Sequence, residues 1–273
     1  MADPAYLWGM RQFIPFLPKS PLVPVIRLQG AIGSGMRSLS DQALAPVIER
    51  AFSRGKPAAV ALVINSPGGS PVQSSLIAAR IRRLADEKKI PVHAFVEDVA
   101  ASGGYWLAVA ADDIWVDQSS IVGSIGVIYA SFGFHDLMQK KGVERRVHTA
   151  GTSKSFADPF KPERPEDVAR IHAMLAPLHE NFIAQVRQRR GSRLSTEADL
   201  FNADIWVGRK SADLGLTDGI GHLVPKMKEL YGEKVRLAPV GHRRSLIQRF
   251  GLSMTDTLIA SVEERALWAR YGL

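Results

Sequence analysis

The chain has 273 residues, 46% of them hydrophobic, which suits one large domain or two small ones and argues against a mainly disordered polymer. It has no cysteine, which excludes a disulfide scaffold, a thiolate zinc knuckle, a cysteine-bound iron–sulfur cluster and a cysteine nucleophile. Thirty-five Lys and Arg against 27 Asp and Glu give a formal charge of +8, and the surplus falls late in the chain. With no zinc-finger spacing, helix-turn-helix signal or aromatic–glycine RNA-binding motif beside it, this reads as a solvated basic face, and nucleic acid is not expected as a partner.

The first 22 residues read as an apolar arm. Tyr6, Leu7, Trp8, Met10, Phe13, Ile14, Phe16 and Leu17 are interrupted by Pro4, Arg11, Pro15, Pro18 and Lys19 before a long hydrophobic run can form. This suits neither a cleavable secretion signal nor a spanning helix. The arm is expected to pack on protein, to make peripheral membrane contact or to stay a loose arm, with the chain cytoplasmic or peripheral at the inner face of a membrane.

From there strands and helices alternate. Val23 to Leu28 reads as a strand, followed by a helical pattern through Leu44, Val47, Ile48 and Phe52. Ala58 to Ile64 is the clearest buried strand. After Asn65-Ser66-Pro67-Gly68-Gly69, Ser70 is placed to cap and Pro71 to open a helix carrying Val72, Leu76, Ile77, Ile81 and Leu84. Pro91 to Val96 reads as a strand, Ala101 to Ala110 as a small-residue helix and Asp113 to Val116 as the next strand. Farther on, Val127, Ile128 and Tyr129 form an apolar run, and Val143 to Thr149 has the composition of a short strand. Val168, Ile171, Leu175, Leu178, Phe182 and Val186 mark a long helical section in which Pro177 predicts a kink or a division. The expected organisation is an N-terminal arm over 1–22, one domain over 23–238, and a tail over 239–273 suited to a subunit contact. Nearly continuous apolar strands alternating with helices indicate an α/β fold with a largely parallel, helix-covered sheet, whose ligands collect at the carboxyl ends of the strands.

Three short segments carry candidate chemistry. Ser102, in Ala101-Ser102-Gly103-Gly104-Tyr105, follows a strand and opens a helix with little bulk around its hydroxyl. The following N–H groups are suited to hydrogen-bond the oxygen that gains charge as a carbonyl is attacked. The ordinary alternative is a capping or packing serine. Gly68 and Gly69 let the backbone approach a substrate and offer an N–H to the same oxygen, or else make an ordinary tight turn. Lys154 is either a solvated charge or a base. A lysine serves as a base near neutral pH only when desolvation brings its amine down toward ~7–8. Ser153 and Ser155 flank it and are placed to orient its amine.

Competing chemistries lack support. His93, His148, His172 and His179 have nothing in the sequence to set them beside Ser102, and the α/β-hydrolase elbow motif is absent. No metal site is expected, because there is no His-Glu-x-x-His segment and the pairs Glu97/Asp98 and Asp112/Asp113 are adjacent rather than on one helical face. The glycines at 30, 33 and 35 have the wrong spacing for a dinucleotide fingerprint, so no cofactor is expected.

Five ordered segments resemble the signal peptide peptidase A and SohB family of bacterial serine peptidases, within the Clp protease and crotonase fold group. They are Ile64-Asn65-Ser66-Pro67-Gly68-Gly69; Ala101-Ser102-Gly103-Gly104-Tyr105-Trp106; Val122-Gly123-Ser124-Ile125-Gly126-Val127; Lys154 with Pro159-Phe160; and Gly215-Leu216-Thr217-Asp218-Gly219-Ile220-Gly221. The resemblance implies Clp/crotonase-like repeated β-β-α units with a largely parallel twisted sheet, assembled as a homo-oligomeric ring or dome. It implies Ser102 as nucleophile, Lys154 as general base, and the amides of Gly69 and Gly103 as oxyanion donors. Short or unfolded peptides, signal-peptide remnants among them, become the expected substrates. Gly68, Trp106, Ile125 and Tyr129 become candidate pocket residues, with core packing the alternative for the last three. Two other readings stay open: an inactive peptide-binding or membrane-associated scaffold, and a crotonase-like acyl-coenzyme A enzyme.

Overall fold

The computed structural model describes residues 20–33, 38–151, 153–241 and 265–273, so the expected N-terminal arm lies almost wholly outside the described residues. In chain order the elements are β1 (Leu22–Gln29), α1 (Asp41–Ser53), β2 (Val60–Ser66), α2 (Pro71–Lys88), β3 (Val92–Ala101), α3 (Gly103–Ala108), β4 (Asp113–Val116) and β5 (Ile121–Gly123). There follow α4 (His135–Lys140), α5 (Pro165–Arg190), β6 (Ile205–Val207), α6 (Gly208–Asp213), β7 (Gly219–Ile220), α7 (Leu223–Tyr231) and β8 (Arg236–Val240).

The eight strands among the described residues belong to one sheet. Its main path runs β6-β5-β3-β2-β1-β8, with β4 pairing β3 and β7 off that path. Every pairing is parallel except that of β5 with β6. β2 has all seven of its residues buried, the signature of a central strand covered on both faces. On one face Ile26, Leu28, Leu62, Ile64, Val92 and Val96 pack with Leu44, Ile48 and Phe52 of α1, Ile77 and Ile81 of α2, and Phe182 and Val186 of α5. On the other, Val23, Val25, Ala61, Val63 and Phe95 pack with Met227 of α7.

The strand β3 has two different neighbours on one side. β4 pairs with its first half, from His93 to Val96, and β5 with its second half, from Val99 to Ala101. The change of partner falls where the β2–β3 register slips, between Ile64 and Ser66. A bulge bends a strand and increases its local twist, which lets β3 leave one neighbour and join the next.

Side-chain caps explain two of the helix starts. Ser70 accepts from Gln73 N–H, and Pro71 occupies the first turn of α2. Ser40 does the same for α1 through Ala43 N–H. Behind α3, the Tyr105 hydroxyl donates to the Leu216 carbonyl at 2.7 Å, and burial pushes its phenol far above the usual range, keeping it a neutral donor. Arg190, 3% exposed, donates to the Gly215 carbonyl at 2.8 Å and pairs with Asp218 at 2.7 Å. These bonds pin the 215–221 segment against the back of the site.

Several expectations are corrected. Val72 and Leu76 are exposed; Leu76 stands about 100° round the helix from Ile77, outside the buried stripe. The small-residue helix spans only Gly103–Ala108, because Ala101 remains in β3. Val143 to Thr149 forms no strand: Glu144, Arg145 and Arg146 are solvated and no sheet edge lies alongside to pair with them. Pro177 does not divide α5; it faces solvent, where the carbonyl it leaves unpaired meets water. The expected domain end at 238 falls inside β8, whose Pro239 and Val240 pair with Val25 and Ile26.

Arg80 of α2 clasps Asp41 of α1 through two hydrogen bonds of 2.7 and 2.8 Å, and Gln73 accepts from Asp41 N–H at 2.8 Å. The Arg80 hydrogen bond holds the Asp41 carboxyl below its ordinary value, so the clasp stabilises the fold above about pH 4 and is lost as pH falls further. Asp41→Asn should therefore cost about 1 kcal/mol at pH 6 and much less near pH 3, read by urea denaturation at both pH values. An equal loss at both would exclude this linkage.

Candidate active site

β2 and β3 run parallel and end together, so the segments that follow them emerge side by side. The contact is close enough that a Cβ added to Gly68 would lie 2.8 Å from the Ser102 Cβ, the Ala101 carbonyl oxygen and the Gly103 nitrogen. Only glycine permits this approach, and Gly68 also adopts φ +98°. One residue on, Gly69 has φ +143°, and a Cβ there would meet the Ile32 carbonyl oxygen at 2.0 Å.

Ile32 forms an isolated parallel bridge to Gly69, donating to the Gly68 carbonyl and accepting from Ser70 N–H, both at 2.8 Å. In that pattern the flanking groups make the bonds and the Gly69 N–H is directed away from Ile32. It lies toward Gly103, where an added Cβ would come within 3.3 Å of it. Gly103 N–H heads α3, where no intrahelical acceptor exists. Two amides without ladder partners therefore lie close together next to Ser102.

Ser102 itself has φ 51° and ψ −123°, outside the regions open to a residue with a side chain, at a cost of about 1–3 kcal/mol. Its neighbours impose the conformation. Ala101 pairs with Gly123 in the sheet, Ser102 N–H donates to the Gly123 carbonyl at 2.9 Å, and its own carbonyl accepts from Trp106 N–H at 3.0 Å. Unlike Ser40 and Ser70, Ser102 makes no side-chain capping bond. The capping role weighed from sequence is thus excluded, and a half-buried hydroxyl remains beside the glycine amides.

The other named residues are more dispersed. Trp106 is buried and stacks on Phe182 at 4.8 Å, and Ile125 is fully buried, with its carbonyl 3.0 Å from His179 Nε2; both sit in the core. Tyr129 is exposed on a projecting arm, 127–164, whose residues are mostly exposed. Lys154 and Ser153 are exposed on the same arm, and the Ser155 hydroxyl accepts from Lys161 Nζ at 3.3 Å. Among the described residues, Lys154 stands open to solvent. His93 is held between Asp113 and the Tyr231 hydroxyl, at 2.8 and 2.7 Å, well inside the sheet.

Sequence reading missed the buried polar groups beneath the site. Ser74 is fully buried under Gly103 and donates to the Ser70 carbonyl at 2.9 Å. Asn65, 8% exposed, bonds to Asp98 and Val99. A polar residue directly after an unbroken apolar strand is the one signal that pointed to Asn65. Among the described residues no group of three or more His, Asp or Glu could hold a metal ion.

The strand ends thus define a class: α/β proteins that present a strained, uncapped serine to a glycine loop. The chain belongs to peptidase family S49, whose model matches residues 85–234, over half its length. It is 47% identical over 271 residues to a Brucella melitensis protein named Na(+)/H(+) antiporter NhaA, covering 92% of this chain and 37% of that one. It is 28% identical to protease 4 of Haemophilus influenzae, over 89% of this chain and 40% of the relative. The chain therefore spans about two-fifths of the length of these relatives. Among solved structures, a mutant of the 1510-N membrane-bound stomatin-specific protease in complex with a substrate peptide superposes with a TM-score of 0.51 at 14% identity. That likeness covers 89% of this chain and 98% of the other, and it supports the α/β fold alone. No helix among the described residues is long and apolar enough to cross a membrane.

Because the Gly69 Cβ would strike backbone rather than a movable side chain, Gly69→Ala should unfold the loop or displace Ile32. The expected loss is at least about 3 kcal/mol, read as a drop in Tm by circular dichroism. A variant that keeps the wild-type Tm would contradict the described approach of Gly69 to Ile32.

Proposed function

We propose that this chain is a serine–lysine endopeptidase that hydrolyses short or unfolded peptides, signal-peptide remnants among them, through an acyl-enzyme on Ser102. The observation that carries this reading is the uncapped hydroxyl of Ser102, held on a strained backbone against Gly68, Gly69 and Gly103. Membership of a peptidase family supports the same chemistry.

In this mechanism Ser102 Oγ attacks the peptide carbonyl carbon while its proton passes to Lys154 Nζ. The carbonyl oxygen, now anionic, accepts hydrogen bonds from Gly69 N–H and Gly103 N–H; one such donor is typically worth about 3–4 kcal/mol in the transition state. The C–N bond breaks as Lys154 returns the proton to the departing amine. Lys154 then takes a proton from water as its oxygen attacks the ester carbonyl; the C–O bond to Ser102 breaks, Lys154 returns the proton to Ser102 Oγ, and the free enzyme is regenerated. Ser153 and Ser155 orient the lysine. Gly68 and Tyr129 are assigned to the substrate pocket, whereas Trp106 and Ile125, buried in the core, take the packing alternative.

An exposed Lys154 cannot serve this role until it is stripped of water. The surrounding arm offers an apolar surface for that purpose: Ile128, Tyr129, Phe132, Phe134, Leu137, Val143 and Phe160 are all exposed, Phe132 at 81%. We assign this surface to a second copy of the chain, within a homo-oligomeric ring or dome of the Clp/crotonase type. The N-terminal arm is assigned to protein packing or peripheral membrane contact. The peptidase domain is assigned to 23–238, completed by the end of β8, with the remaining tail available for subunit contact.

A fluorophosphonate probe tests the chemistry. The wild-type assembly should become covalently modified at Ser102, located by mass spectrometry. Ser102→Ala should abolish labelling, and Lys154→Ala should slow it at least about 100-fold with no change in assembly size. Exposure of Lys154 in the single chain favours one rival, an inactive peptide-binding scaffold; peptide binding unaffected by Ser102→Ala, with no labelling and no product after long incubation, would establish that rival instead.

Sedimentation tests the arm. The wild type should sediment as an oligomer, and Phe132→Glu should shift it toward monomer while slowing Ser102 labelling at least about 10-fold. A monomeric wild type that labels at full rate would refute the assignment of the arm.

A further inference from the structure

The register of β3 against β2 changes just before the site. Ile64 pairs with Val96 and Ser66 with Ala100, so β2 advances two residues while β3 advances four. Had the two strands kept step beyond Ile64, Gly68 would stand opposite Ala100, and Ser102 would overshoot the glycine loop by about 7 Å. The two extra residues of β3 bring Ser102 level with Gly68, where their close contact is seen.

Such a bulge leaves backbone groups without ladder partners, and two side chains supply them. From β2, the Asn65 carboxamide oxygen accepts from Val99 N–H at 3.3 Å, and its NH₂ donates to the Asp98 carboxylate at 2.5 Å. From the β5 side, the Ser120 hydroxyl reaches the Glu97 carbonyl at 2.5 Å. Asn65 also uses its own carbonyl to accept from Gly30 N–H at 3.0 Å, tying the end of β1 to the same point. Asn65 therefore touches both sides of the alignment: it starts the Asn65-Ser66-Pro67-Gly68-Gly69 loop, and it fastens β3 three residues before Ser102.

We infer that Asn65 is a positioning residue for the hydrolytic site, fastening the β3 bulge so that Ser102 Oγ comes level with the Gly69 and Gly103 amides. The inference rests on the reading of Ser102 as nucleophile. It predicts that what matters is the donor–acceptor pair with Asp98, and not the volume of the side chain. Asn65→Asp keeps the shape and the acceptor for Val99 but sets two carboxylates against each other. Asp98→Asn keeps an acceptor for Asn65, because its amide oxygen can turn inward. In the double variant the donor and acceptor trade places and the bond is restored.

The experiment measures peptide hydrolysis and the rate of Ser102 labelling by a fluorophosphonate in the full-length assembly, with Tm recorded for each variant. Asn65→Asp should lower kcat and the labelling rate about 100-fold with KM changed less than about threefold, since displacement by an ångström costs roughly that much. Asp98→Asn should stay within about threefold of wild type, and the double variant should recover to within about tenfold. Should Asn65→Asp not fold, Asp98→Ala, altered at an exposed position, takes its place and should slow labelling about fivefold. A wild type that labels at Ser102 alongside an Asn65→Asp variant equally fast overturns the positioning role alone. So does a double variant no faster than the single one, or an Asp98→Ala variant at the wild-type rate. A wild type that never labels at Ser102 overturns the nucleophile reading, and this inference with it.

Discussion

The close approach of two backbone segments, Gly68-Gly69 after β2 and Ser102-Gly103 after β3, is the constraint on which the candidate site depends. It needs two parallel strands ending level, and it needs residues without β-carbons on the loop. The sheet meets the first requirement through the β3 bulge and the second through a glycine pair that no larger residue could replace. The placement proposed for the nucleophile and its oxyanion donors follows from this approach; the proposed role of Lys154 does not.

Holding Ser102 in a sparsely populated conformation costs stability, and the surroundings offset that cost. β2 is buried along its whole length, α3 is buried at every residue, and Tyr105 and Arg190 anchor the 215–221 segment behind it. A strained residue persists only when its neighbours over-determine it, and here sheet pairing to Gly123 and helix formation through Trp106 do so from both sides. Arm and core differ in this respect. The core around Ser102 is complete within one chain, whereas the arm that carries Lys154 presents its aromatic residues to solvent.

Much of the fold was legible because it is written in local chemistry. The apolar run of β2 can only be a buried strand, and Ser70 followed by Pro71 carries its own capping signal. The glycines at 68, 69 and 103 were legible as candidates because absent side chains imply close approach. The strain at Ser102 was not legible, since φ and ψ there are set by Gly123 and Trp106 rather than by the serine. The bulge was hidden for a related reason: it depends on the relative lengths of two strands, and periodicity within either one carries no record of it. Val143 to Thr149 misled because strand composition without a neighbouring edge forms no strand. Lys154 was legible as a residue type in an ordered set of motifs, but its exposure among the described residues was not.

The central claim is best tested by a crystal structure of the full chain with a peptide boronate. The account predicts a covalent bond from boron to Ser102 Oγ, with one boronate oxygen about 2.7–3.1 Å from both the Gly69 and Gly103 nitrogens. A boronate bound elsewhere, or joined to Ser102 with its oxygen turned away from both amides, would contradict it.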